Sequence, residues 1–264
     1  MTIIPSVSPP LPTKNRWLRM LSTRDPLKWL ALGWHDFTTQ PAMSIVYGLL
    51  IFLVSIAFVG TLIVSGRDYI LFPTFAGFMV VGPILAVGLY EKSPRIEGKL
   101  PLHWANLFFV KPSSGGQILF TGVLLCLLMM VWMRAAVLIY ALFFGLVPFP
   151  GLDHIAKMLF TTDTGWAMLA VGTAVGGLFA AFSFAISAFS IPMLVNEPVD
   201  ALTAMGSSMA LVWNNLRVML IWAGIVLALF LVSLATGMLG LIVIYPLLGH
   251  ATWHAYRAVE VSAG

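Results

Sequence analysis

Two histidines near the end of the chain, His250 and His254, have a spacing that could hold a metal ion or a haem edge. Residues four apart share one face of a helix, and neutral imidazole is a common metal ligand. A zinc site needs further ligands, and no HExxH motif is present. Trp253, Tyr256 and Arg257 flank the pair and are typical of an interfacial anchor. We therefore keep the two histidines only as weak candidates for cofactor binding. Beyond them, the sequence predicts no catalytic residue, metal site or cofactor.

Arg134 is the second candidate, because it interrupts the apolar stretch 118–147. A charge inside a membrane span is costly and by default indicates function. This stretch is longer than one crossing needs, however. If the crossing begins near Ser113, Arg134 reaches the far interface and can extend its guanidinium into water. We expect that placement, or a structural pair with Asp153 or Asp163.

The composition excludes most soluble classes of protein. Of the 264 residues, 60% are hydrophobic and only 9% are charged, whereas a soluble domain carries about 25% charged residues. The net charge of +4 does not indicate a nucleic-acid partner, because the basic residues cluster between apolar stretches, as topology signals do. No phosphate-binding loop or nucleophile elbow is present. The single cysteine, Cys126, cannot form an intrachain disulfide. The chain therefore reads as a multi-pass membrane protein and not as an enzyme.

A helix that crosses a bilayer needs roughly 20 apolar residues. Stretches of that kind are residues 43–64, 69–90, 118–147, 164–195 and 218–256. The last is long enough for two crossings, which Gly237 and Gly240 divide. The sequence thus predicts an all-α polytopic protein with about six transmembrane helices.

The basic residues predict the orientation of these helices. Most lie before the first predicted span or just after the second, whereas Arg67 and Lys157 lie on the opposite side. Cytoplasmic loops carry an excess of lysine and arginine, so both termini are expected in the cytoplasm of a bacterial cell, with the protein in the inner membrane. Residues 1–25 are expected to form a flexible cytoplasmic tail, and residues 26–260 a single membrane domain.

Charged residues at the predicted cytoplasmic helix ends are expected to be solvated. They include Asp36 and the group formed by Glu91, Lys92 and Arg95. Exposed ion pairs contribute only about 0–1 kcal/mol, so we expect no site there.

The chain also contains a threefold pseudo-repeat, over residues 26–92, 100–195 and 198–257. Each unit begins with an X-Pro step and a short amphipathic helix, which is expected to lie in the headgroup layer. In the first unit the apolar face contains Leu27, Leu30, Trp34 and Phe37. Two crossings follow as a hairpin, and the second carries a proline that kinks the helix. These prolines are Pro83, Pro192 and Pro246. The alternative is chance similarity between apolar sequences.

Gly172 and Gly176 form a GxxxG pattern in the fourth predicted span. Small residues at this spacing allow two helices to approach closely. We expect packing within the monomer in preference to a dimer interface.

Several segments together resemble a known family. They are Gly33-Trp34-His35-Asp36, Gly77–Phe78 through Glu91, Ser190–Leu194, Asp200–Ala204 and, most specifically, Pro246–Arg257. Over residues 25–260 the chain resembles an uncharacterised, domain-of-unknown-function family of multi-pass bacterial inner-membrane proteins. Some of its members carry the label of a cytochrome c oxidase subunit. The resemblance implies a membrane protein without a proven activity. A haem–copper catalytic subunit would need more intramembrane histidines than this chain has. Three of its five histidines, His35, His103 and His154, lie outside the apolar stretches.

Three functions remain open at this point. The first is an accessory, assembly or scaffold component of an inner-membrane complex, including a respiratory oxidase, with other membrane subunits and the lipid bilayer as partners. The second is a small-solute or lipid transporter, whose kinked spans would surround a cavity. Its polar lining would come from Thr121, Thr173, Ser183 and Ser187. The third is a metal- or haem-binding membrane protein that uses His250 and His254.

Overall fold

A computed structural model describes residue 15, residues 17–145 and residues 150–261, and these residues form helices without any strand. The helices are α1 (Asp25–Thr38), α2 (Pro41–Val64), α3 (Leu71–Leu85), α4 (Val87–Glu97), α5 (Trp104–Phe108), α6 (Gly115–Phe144), α7 (Leu152–Thr161), α8 (Asp163–Ser187), α9 (Ser190–Asn196), α10 (Ala201–Asn214), α11 (Leu216–Ala235) and α12 (Leu241–Val261). The predicted tail, residues 1–25, lies largely outside the described residues. From Trp17 onward it is held in place, because Asn215 bonds both the carbonyl of Trp17 and the amide of Arg19.

Within the described residues, four helices are long and apolar enough to cross a membrane. They are α2, α6, α8 continued into α9 (Asp163–Asn196), and α11; a fifth span results if α3 and α4, bent by 43°, count as one. Their outer faces expose large apolar side chains such as Leu53, Leu127, Leu178 and Leu231. Exposed leucines in such continuous bands are expected where the surrounding solvent is hydrocarbon.

The short helix α1 divides its apolar side chains between core and exterior. The sequence placed Leu27, Trp34 and Phe37 on one membrane-directed face, but Phe37 is buried while Leu27 and Trp34 are exposed. The reason is that α1 packs on α12 through Gly33, where an added Cβ would lie 2.7 Å from the amide nitrogen of Ala251. This close approach turns one side of α1 inward and leaves the other side exposed.

The core lies where the segments that follow the three prolines meet. Pro83 stands in α3 just before α4, Pro192 in the first turn of α9, and Pro246 inside α12. Helices α4, α9 and the second half of α12 pack against one another. Leu89 and Leu194, one from α4 and one from α9, are fully buried there. The prolines thus precede the chain segments that build the densest part of the protein.

The helix break after Pro83 frees backbone carbonyls, and two tyrosines bind them. Ala86 N–H bonds to the carbonyl of Pro83, so the carbonyl of Gly82 lacks its usual helical donor. Tyr245 of α12 donates its hydroxyl to this Gly82 oxygen at 2.7 Å, and Tyr47 of α2 donates to Leu85 O at 2.5 Å. Such groups must find a partner inside a membrane protein, because lipid offers none.

Replacing Tyr245 by phenylalanine should therefore destabilise the fold by about 1–2 kcal/mol, since the Gly82 carbonyl would lose its donor. Thermal unfolding in detergent, followed by circular dichroism, measures this. Tyr69→Phe is the matched control, because Tyr69 is exposed just before α3. Equal melting temperatures for the two variants would refute the role assigned to Tyr245.

Candidate functional site

The predicted histidines belong to a buried polar group that we call the histidine cluster. Its members are Asp36, Ser44, Lys92, Ser93, His250 and His254, none more than 8% exposed. They come from α1, α2, α4 and α12, and each of the first three helices packs on α12. The expectation that Asp36 and Lys92 are solvated is wrong, because α12 packs on the helices that carry them and both side chains are buried.

Lys92 holds one side of the cluster. Its ammonium donates to the carbonyls of Asp36, at 3.0 Å, and Gln40, at 3.4 Å, and to the hydroxyl of Ser44 at 2.8 Å. The Asp36 carbonyl is among the last four of α1, which have no partner within the helix. A cation is favourable at that end of a helix dipole. All three ammonium hydrogens therefore have acceptors.

The contacts of His250 are compatible with a neutral imidazole that carries its hydrogen on Nδ1. Ser44 accepts from Lys92 and can direct its own hydrogen to Nε2 of His250 at 3.1 Å. With Nε2 as an acceptor, Nδ1–H would donate to the hydroxyl of Ser93 at 2.8 Å. Both ring nitrogens of His250 are occupied by serine side chains.

His254 lies one turn further on, between two carboxylates. Its Nε2 is 2.8 Å from Oδ2 of Asp36, and its Nδ1 is 3.4 Å from Oε1 of Glu97. Glu97 also approaches Arg257, with 3.6 Å between Oε2 and Nε. The two histidines thus face different partners and do not converge on a shared point.

The cluster does not have the form of a metal or catalytic site. Among the described residues, no group of three or more His, Cys, Asp or Glu side chains could hold a metal ion. Ser44 and Lys92 are within nucleophile–base distance, but both are buried. The chemistry of the cluster is that of a satisfied hydrogen-bond network joining α12 to α1, α2 and α4.

Sequence reasoning found the histidines but missed their partners. Ser44 lies 48 residues from Lys92 and 206 residues from His250 along the chain. Neither serine nor a single lysine at a helix end carries a local pattern that would predict these contacts. The burial of Lys92 is the feature that would have identified these partners. Burial depends on the packing of distant helices, so the sequence does not show it.

The second feature is a cavity of about 970 Å³ between α3, α6, α7, α8, α11 and α12. Its described lining is mainly aliphatic and aromatic and includes no Asp, Glu, Lys, Arg or His side chain. Tyr69, Phe72 and Phe160 at one end are exposed and form what we call the mouth. Tyr90 and Trp222, both fully buried, lie at the opposite, inner end.

Of the four hydroxyl residues that the sequence suggested for a cavity, three line it. Thr173 is exposed on the mouth side of α8, whereas Ser183 and Ser187 are buried towards the inner end. Thr121 does not line the cavity; it is buried in α6, and its hydroxyl has no hydrogen-bond partner among the described residues.

Helix α12 separates the cavity from the histidine cluster. Tyr245, Leu248 and Thr252 line the cavity from one face of α12. His250 and His254 point from another face towards α1, α2 and α4. The two features therefore share a helix without sharing side chains.

The GxxxG glycines line this cavity, whereas Arg134 does not. Arg134 is exposed on α6, about 28 Å along the helix from Gly115, and no ion pair with it occurs in the part of the chain that the structure describes. The side chain of its predicted partner Asp153 lies outside the described residues. Gly176 packs within the chain, since an added Cβ would lie 2.8 Å from the Trp132 ring, whereas Gly172 faces open space.

Comparison with known proteins agrees with a membrane location. No curated protein and no solved structure matches the chain. A family model matches residues 71–196, slightly less than half of the chain, and this region runs from α3 to α9. The match includes Pro83 and Pro192 but not the two histidines. The matching family is described as predicted integral membrane protein (DUF2189), and with the apolar helices above it identifies the chain as an integral membrane protein with several membrane-spanning helices.

Proposed function

We propose that this membrane protein binds a lipid or another apolar molecule in the cavity, as a carrier or transporter of that molecule. The observation that supports the proposal is the cavity itself, with a volume of about 970 Å³, an exposed mouth and an uncharged lining. Ligand pockets in proteins are about 300–1,000 Å³ and mainly apolar. Helix interfaces without a ligand are otherwise close-packed, so a void of this size is suited to an occupant.

The shape of the lining favours entry from the bilayer. Gly177 and Ala180 of α8 and Leu227 of α11 are exposed cavity-lining residues. The cavity is therefore open along the side between these two helices. A molecule dissolved in the hydrocarbon layer could enter there without passing through water.

We extend the proposal to the topology that the charges favour. Helix α12 has 21 residues, about 31 Å at 1.5 Å per residue, and is long enough for a sixth crossing. With it, the long helices form three hairpins. The excess of basic residues near α1 and α4 supports cytoplasmic termini in an inner membrane. On this assignment the mouth of the cavity lies on the other side, near Arg67 and Lys157.

A cavity-filling substitution tests the proposed function. Gly172 lines the cavity, and an added Cβ there would meet nothing within 4 Å. Gly172→Leu should leave the fold intact but lower the amount of co-purified lipid or apolar molecule about tenfold, the factor that about 1.4 kcal/mol of binding free energy produces. Native mass spectrometry of the purified protein measures the bound fraction.

The matched control is Gly224→Leu in α11. Gly224 also has open space around its Cβ position, but it does not line the cavity. This variant should retain its ligand. Equal occupancy in both variants, or wild-type protein that never carries an apolar molecule, would contradict the proposed function.

The accessory-subunit role, including an association with a respiratory oxidase, stays a prediction. No contact among the described residues distinguishes it from an independent membrane protein. The reading of His250 and His254 as metal or haem ligands is not pursued, because serine and carboxylate side chains occupy their ring nitrogens.

A further inference from the structure

The inner end of the cavity contains two hydroxyls that have no hydrogen-bond partner among the described residues. They belong to Ser183 and Ser187, which line the cavity and are each 3% exposed. They lie four residues apart on α8 and so share the face directed at the cavity. A buried hydroxyl normally finds a partner, because burial without one costs free energy.

Three other hydroxyls of the lining already have a partner within the chain. Thr252 donates to Leu248 O at 2.8 Å, Ser233 to Leu229 O at 3.1 Å, and Tyr245 to Gly82 O at 2.7 Å. Serine can make the same bond to its own helix, yet Ser183 and Ser187 do not. Their hydroxyls are therefore available to a molecule in the cavity, as both donors and acceptors.

The same lining argues against a charged head group. No cationic or anionic side chain is among the described lining residues. The nearest ionisable groups along α12, His250 and His254, face away from the cavity and are engaged in the histidine cluster. A phosphate or carboxylate at the inner end would be buried without a counter-charge, which is strongly unfavourable.

Resting on the proposed function, we infer that the ligand is an uncharged amphiphile with a long apolar body and one hydroxyl or carbonyl group. That polar group binds Ser183 and Ser187 at the inner end, and the apolar body extends past Gly172 towards the mouth. The two serines set the orientation of the ligand and its selection over phospholipids and over simple hydrocarbons.

Photolabelling of the full-length protein in detergent tests this inference with three diazirine probes of equal chain length. They are a long-chain alcohol, the corresponding alkane and a phosphatidylglycerol. The alcohol should label peptides that line the cavity at least about tenfold more than the other two probes. In the double variant Ser183→Ala/Ser187→Ala, labelling by the alcohol should fall to the level of the alkane. Thr164→Ala, in the same helix but exposed and outside the cavity lining, should label as wild type.

The outcomes separate the inference from the function beneath it. If the alkane or the phosphatidylglycerol labels the cavity as well as the alcohol does, or if the serine variant is unaffected, the inference is overturned while the cavity remains a ligand site. If none of the probes labels the cavity, the proposed function fails as well. Melting temperatures of the variants, expected to equal that of the wild type, show that a lost signal is not lost folding.

Discussion

Gly48→Ala is expected to destabilise the protein by about 3 kcal/mol or more, the upper range for overpacking. Gly48 lies where α2 crosses α12, and an added Cβ would overlap the carbonyl oxygen of Ile242. That oxygen belongs to a helix backbone and cannot rotate away as a side chain can. The two helices would have to separate, which would also disturb the contact between Ser44 and His250 one turn away. Unfolding in detergent by heat or by denaturant titration measures the loss.

Gly60→Ala provides the control within the same helix. An added Cβ at Gly60 would meet nothing within 4 Å. Alanine is also the better helix former by about 1 kcal/mol, so this variant should be as stable as wild type or slightly more stable. If Gly48→Ala and Gly60→Ala unfold alike, the close crossing of α2 and α12 is not formed.

Lys92→Met is expected to cost at least about 1.5–3 kcal/mol, the contribution of one hydrogen bond to a charged group. Methionine has a similar length but no donor. The carbonyls of Asp36 and Gln40 and the hydroxyl of Ser44 would all lose their hydrogen bonds to the ammonium. The contact between Ser44 and His250 would be disturbed with them.

Lys28→Met is the matched control for this substitution. The Lys28 side chain is 68% exposed and forms an i,i+3 pair with Asp25, whereas Lys92 is 2% exposed. The exposed pair should contribute about 0–1 kcal/mol. A melting temperature for Lys92→Met close to that of Lys28→Met would mean that the histidine cluster does not stabilise the fold.

Gly48→Ala and Lys92→Met both disturb the packing around α12. This helix carries the histidine cluster on one face and part of the cavity on another. Loss of the histidine cluster should therefore also lower ligand binding in the cavity, although no cluster residue lines it. Lipid occupancy of Lys92→Met, measured at a temperature where the variant remains folded, would report this connection between the two features.

The sequence by itself determined where the chain meets lipid. Long uncharged stretches must be helices in a bilayer, because hydrocarbon cannot satisfy backbone N–H and C=O groups. The bounds of α2, α6, α8 and α11 accordingly follow hydropathy, and a bend was expected near Pro83, where α3 and α4 meet at 43°. The sequence also suggested Ser183 and Ser187 as cavity-lining residues, because they are polar residues within an apolar stretch.

Only the tertiary structure decided which polar residues meet and where a space remains. Lys92 and Asp36 looked like solvated helix ends, and their burial depends on α12 covering them from more than 150 residues away in sequence. The cavity likewise arises from how α3, α6, α8, α11 and α12 pack, which apolar patterning does not specify. Hydropathy is a property of each residue in its solvent, whereas burial, hydrogen-bond partners and voids are properties of pairs of distant segments.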